Sequence, residues 1–98
     1  MVARLWRGWT AADSADEVAA HLRDGVVARY SAAPGNVSAC VLRRPSGGGV
    51  ELMTFSVWES GDAVPSRVEE AHRLLVASET VAARWELEGR PAVIARAA

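Results

Sequence analysis

The stretch Glu51-Leu52-Met53-Thr54-Phe55-Ser56-Val57-Trp58-Glu59-Ser60 constrains the fold more than any other part of this chain. It reads as a strand that ends in a tryptophan just before a helix begins. Side chains alternate along a strand, so Leu52, Thr54, Ser56 and Trp58 share one face and Met53, Phe55 and Val57 share the other. One face is purely apolar; the other combines apolar bulk with hydroxyls and an indole donor. A strand of this kind needs cover on both sides, and its mixed side resembles the wall of a pocket. The expectation is a small sheet domain that binds something and pairs with a second copy of itself.

The 98 residues make one domain, residues 1–98. A chain this short buries only about two thirds of its unfolded surface, so dimerisation would add to a modest core. Half of the residues are apolar, which argues against disorder. A formal charge of −1 gives no electrostatic basis for nucleic-acid binding. No apolar run approaches the roughly 20 residues of a membrane span. Arg4 and Arg7 interrupt the apolar start, so no signal peptide is expected there and the default location is the cytoplasm.

All 11 basic residues are arginine. Without lysine there is no Schiff-base chemistry, no pyridoxal phosphate anchor and no Walker A loop. Cys40 is the single cysteine, so no internal disulfide forms, and His21, His72 and Cys40 have no zinc-site spacing. Asn36 is the only asparagine and glutamine is absent, which leaves few polar tools for chemistry.

Val2–Thr10 reads as a first strand. Ser14 and Glu17 have capping-box spacing, and Val18, Leu22 and Val26 recur every four residues, predicting an amphipathic helix to about Ala32. Pro34-Gly35-Asn36 stops it. A second strand over Val37–Arg44 and a glycine-rich turn at Pro45–Gly49 predict a hairpin with the third. Ser66 and Glu69 again have capping-box spacing, with Pro65 either an interruption or in the first turn of a new helix. Val68, Ala71, Leu74, Leu75 and Val76 extend that helical pattern toward Arg84 or Trp85. After Gly89-Arg90-Pro91, Ala92–Ala95 reads as a final strand. The order β-α-β-β-α-β is the ferredoxin-like pattern of the α+β class: a four-stranded antiparallel sheet with both helices on one face. Its other face is left apolar unless a partner covers it. Met53, Phe55 and Val57 are assigned to that uncovered face and Thr54, Ser56 and Trp58 to the helix side, or the reverse, since periodicity alone does not set register.

These segments resemble the antibiotic biosynthesis monooxygenase family of the dimeric α/β-barrel superfamily. The likeness runs in order through Leu5-Trp6-Arg7-Gly8-Trp9-Thr10, Ala33-Pro34-Gly35-Asn36, Val41-Leu42-Arg43-Arg44 and Trp58-Glu59-Ser60-Gly61-Asp62-Ala63. It implies a homodimer of ferredoxin-like units joined through their sheet faces, each with a pocket between sheet and helices. It also implies oxygenation of a small aromatic, polyketide-like substrate without metal or flavin, molecular oxygen being the co-substrate and the ionised substrate the reductant. Trp58 matches a strand-end tryptophan that orients the substrate, and Thr54 stands where those enzymes carry an asparagine. Haem-degrading relatives are similar too: Trp58 and His72 loosely match their strand-three tryptophan and helix-two iron-ligating histidine, but strand one lacks their asparagine.

The candidate catalytic residues are therefore Trp58 and His72, the latter a base suited to neutral pH, with Thr54, Ser56, Arg7 and Trp6 as candidate substrate contacts. Arg4 or Arg7, whichever lies on the pocket side, could hold a phenolate or carboxylate. Each has a plainer reading: Trp58 as core bulk, His72 as a satisfied histidine, the arginines as surface ion pairs. Tyr30 and Trp85 are expected in the core or the dimer seam, and Cys40 as a small buried hydrophobe. From a different functional class, a non-catalytic dimeric binding or assembly module fits the same fold. The feature that separates the two is whether Trp58 lines a cavity or is packed solid.

Overall fold

The computed structural model describes residues 1–89. It is an α+β domain with one antiparallel sheet: β1 (Val2–Ala11), β2 (Asn36–Ser46), β3 (Gly49–Trp58) and β4 (Leu75–Glu86), in the spatial order β2-β3-β1-β4. Between β1 and β2 runs a helical rod: α1 (Ala15–Ala20), a π-helical stretch (His21–Val27) and α2 (Ala28–Ala32). Among the described residues no helix is long and apolar enough to cross a membrane.

The π stretch follows from the spacing of the rod's apolar residues. Val18, Leu22, Val26 and Tyr30 repeat every four residues, which drifts by about 40° per step on a helix of 3.6 residues per turn. The wider π turns take up that drift, and all four side chains end up buried against the sheet. They meet Trp6 of β1 and Leu52 and Trp58 of β3 in one core. Gly8 allows this packing, because a Cβ there would collide with the Trp6 ring lying across it. Ser14 does not cap the rod. Its own backbone is already helical, the end of a short 3₁₀ turn over Ala12–Ser14, so its hydroxyl does not bond the next turn.

The β2–β3 hairpin turns on Gly47 and Gly48, both with positive φ (53° and 84°), as a tight turn matched to strand twist requires. In β3 the register sends Leu52, Thr54, Ser56 and Trp58 toward the rod, all fully buried. Met53 and Phe55 face the opposite side and are only partly covered, while Val57, between Ala3 and Ser38 in register, is buried.

The second predicted helix is not there. After Trp58 the chain makes a 3₁₀ turn (Gly61–Ala63), crosses the rod side of the sheet irregularly over residues 64–74, and enters β4. Ser66 and Glu69 thus cap nothing. Two forces favour strand over helix in Leu75–Glu86. The outer edge of β1 has backbone groups to satisfy. The β-branched Val76, Thr80 and Val81 also suit a pleated surface. Ser78 and Thr80 pair with Gly8 and Trp6, Ala77 and Glu79 with Trp9 and Arg7. The strand expected over Ala92–Ala95 lies outside the described residues, and β4 is instead the segment predicted as helix. Strand order and directions are compatible with a ferredoxin-like arrangement in which the irregular crossover occupies the second helix's place.

Candidate functional site

Alternation along β1 places Arg4, Trp6 and Thr10 on the rod side, and Leu5, Arg7 and Trp9 on the open side. A guanidinium on the rod side must find a counter-charge or stay in water. Arg4 finds Glu70, on the crossover, and the two side chains are 4% and 0% exposed. Arg4 Nη1 donates to Glu70 Oε2 and to the Tyr30 hydroxyl at 3.2 Å. Tyr30 donates to Glu70 Oε1 at 3.2 Å, and Thr54 Oγ1 donates to Glu70 Oε2 at 2.7 Å. One carboxylate thereby collects a strand-one cation, a helix phenol and a strand-three hydroxyl, and pins the crossover to the sheet. Arg29–Glu69 and Arg73–Glu17 contacts, both 3.4 Å, hold its flanks to the rod.

Beside this network lies a cavity of about 310 Å³, walled by Arg4, Thr80 and the crossover stretch Val64 to Val68. Among the described residues Arg4 is the only buried one on that wall. Trp58 is not part of it. The indole is fully buried, edge-on to Tyr30 with centroids 5.4 Å apart, and its Nε1 donates to Ser56 Oγ at 2.9 Å. Trp6 is equally enclosed, and its Nε1 has no partner among the described residues.

Of the six residues singled out from sequence, the fold therefore brings Trp6, Thr54, Ser56 and Trp58 together on the rod side of the sheet and separates the other two. His72 sits in the irregular crossover, not on a helix. Its Nδ1 accepts the Leu74 N–H at 3.1 Å, and its ring lies 5.0 Å from that of His21. Arg7 is on the open face: it donates to Glu51 at 2.7 Å and lies 4.9 Å from the Trp9 ring. Arg44 reaches the same carboxylate at 2.8 Å. The hydrogen bond from Arg7, and next that from Arg44, holds Glu51 below the usual carboxylate range. These groups and Leu5, Leu42 and Met53 border a shallow groove of about 440 Å³. Leu42, Val81 and Trp85 stay largely exposed on the described chain, so Trp85 is not a core residue, and Cys40 is exposed and not a buried hydrophobe. Among the described residues no three His, Cys, Asp or Glu side chains are grouped to hold a metal ion.

Glu70 and Tyr30 were missed as polar site residues. Helical spacing puts Glu70 on a helix that does not form, and Tyr30 reads from sequence as packing in the core or dimer seam. The available signal was Arg4, a charge at a position whose alternation partners are core.

Burial, and after it the Glu70 carboxylate, pushes the Tyr30 phenol well above its ordinary value near 10. A raised pKa means that the folded state holds its proton more tightly than the unfolded state. The resulting stability is complete below pH about 10 and is lost as pH rises from there toward the folded value. Tyr30 is the sole tyrosine, so tyrosinate absorbance reports it alone. That absorbance is expected to appear only together with loss of far-ultraviolet dichroism. Ionisation near pH 10 in the folded protein would show the phenol to be solvated.

No family model matches the chain, and no curated protein is significantly similar to it.

Proposed function

We infer that this chain is a homodimeric cytoplasmic protein of the antibiotic biosynthesis monooxygenase type. Its reaction is cofactor-free oxygenation, or a related cyclisation or isomerisation, of a small aromatic polyketide-like molecule. The observation that carries this reading is the cavity on the rod side of the sheet with a buried, hydrogen-bonded arginine in its wall. The chemistry asks little of the protein. An anthrone-like substrate loses a C–H proton to water, its carbanion transfers electrons to oxygen and forms the C–O bond, and the peroxide anion takes the proton back. The resulting peroxide then loses water, so CH₂ and O₂ become C=O and H₂O. Hydrogen-bond donors fixed near the developing oxyanion favour ionisation of a substrate that binds neutral. Arg4, its charge balanced by Glu70, supplies those donors, while Thr54 and Ser56–Trp58 form the rigid layer behind it. His72 and Arg7 lie outside this cavity and have no part in the reading.

The half-covered face with Met53, Phe55, Leu42 and Val81 supports sheet-to-sheet dimerisation in the ferredoxin-like, dimeric-barrel manner. Light scattering at micromolar concentration is expected to give twice the chain mass, and Phe55→Glu to give one. A wild-type monomer would remove the dimer from the proposal. With anthrone and oxygen and no added cofactor, equimolar consumption faster than in buffer is expected.

A second reading is favoured by one specific observation, the closed packing of Trp58 with its N–H already satisfied by Ser56. In that reading the protein is a non-catalytic dimeric binding or assembly module. Anthrone oxidation no faster than in buffer, with the dimer intact, selects it.

A further inference from the structure

Arg4 is half used. Both hydrogen bonds that it donates among the described residues leave from Nη1. The Nε–H and the two N–H groups of Nη2 remain, and these form the edge of a guanidinium that grips an oxygen acceptor in two-point fashion. The side chain is 4% exposed and is the buried member of the cavity wall. Among the described residues neither nitrogen is a buried atom lacking a partner, so the edge opens toward the cavity instead of being sealed in protein.

The charge of the network decides which acceptor fits. Glu70 already neutralises Arg4 at hydrogen-bond distance, with no exposure of its own. A second carboxylate entering the cavity would leave one uncompensated negative charge beside a buried one, which low-dielectric surroundings penalise. A carbonyl or phenol oxygen accepts the same two hydrogen bonds and adds no charge. Arg67, at the rim, is largely exposed and leans toward Glu69 at 3.9 Å, so solvent screens what it could offer an anion.

We propose that the Nε/Nη2 edge of Arg4 is the recognition point for the carbonyl or phenol oxygen of an uncharged ligand held in the cavity lined by Thr80 of β4 and the Val64 to Val68 stretch. Glu70 tunes that edge toward neutral ligands and against carboxylates. This deepens the functional reading above and rests on it for the location of the site. Thr80 of β4 lines the same cavity, so bulk added there competes with the ligand for space.

The test compares three probes by isothermal titration under argon: xanthone, its deoxygenated analogue xanthene, and naphthoate. Wild type is expected to bind xanthone about tenfold or more tighter than xanthene, the difference that about 1.4 kcal/mol produces. Naphthoate is expected to bind weakly. In Arg4→Met the two tricyclic probes become equal. In Glu70→Gln naphthoate gains about tenfold or more, because the guanidinium then lacks its counter-charge. Should either variant fail to fold, Thr80→Phe changes only an exposed wall residue and is expected to block xanthone. Equal binding of xanthone and xanthene to wild type overturns the proposal, and so does undiminished xanthone binding in Thr80→Phe. Xanthone binding with no anthrone oxidation keeps the site and removes the oxygenase; anthrone oxidation that survives Arg4→Met does the opposite.

Discussion

Glu70→Ala is expected to lower folding stability by about 3–5 kcal/mol, the range found when one partner of a buried ion pair is removed. The substitution strands the Arg4 guanidinium in a core where it is 4% exposed. It also removes the acceptor for Tyr30 and Thr54 and unpins the crossover from the sheet. Against a total stability of about 5–15 kcal/mol for a domain of this kind, that loss is a large fraction of what holds the fold together. Urea denaturation measures it as a lower midpoint. The pair itself, by contrast, is expected to add little beyond what apolar packing would. Arg4→Met combined with Glu70→Leu should therefore recover most of the loss, since no charge is left to bury. A single Glu70→Ala variant within about 1 kcal/mol of wild type would mean that Arg4 reaches water readily.

Trp58→Ala is expected to cost about 3–5 kcal/mol through lost burial and the cavity left behind. The indole lies at the centre of the core, touching the rod through Tyr30 and bonded to its own strand through Ser56. Trp58→Phe keeps the edge-on aromatic contact but leaves the Ser56 hydroxyl without its donor, at about 1–2 kcal/mol. The two substitutions read the role of Trp58 directly. A tryptophan that orients substrate from a pocket wall loses activity on replacement by phenylalanine while stability barely moves. One enclosed as here loses stability in both variants, in proportion to the volume removed.

The first two thirds of the chain were legible because periodicity and punctuation agree there. The alternation in Glu51–Trp58, the four-residue repeat of the rod and the glycines of the hairpin each name one structure, and alternation groups Thr54, Ser56 and Trp58 on one face, although which face meets the rod is set by the fold. After Trp58 the signals conflict. Val68, Ala71, Leu74 and Leu75 repeat at helical spacing, yet Leu75 to Glu86 is a strand, because the vacant edge of β1 offers backbone partners along its length, with three shifts of register. That edge is a tertiary fact and leaves no mark on the local sequence. The site was misplaced for the same reason. Trp58 and His72 stand out in the sequence as side chains with useful chemistry, whereas the polar cluster is organised by Glu70, whose position depends on the path of the crossover.

The position of β1 between β3 and β4 also dictates an order of assembly. The strand synthesised first is central in the sheet, and both of its neighbours come from later in the chain. Its first edge is filled only when β3 exists, its second only when β4 does, and the Arg4 charge waits 66 residues for its partner. Sequence separations this long slow folding relative to helical domains of equal size. Until β4 docks, the nascent chain carries an unpaired strand edge and an uncompensated guanidinium, so any association that competes with folding is expected to capture β1 through that edge.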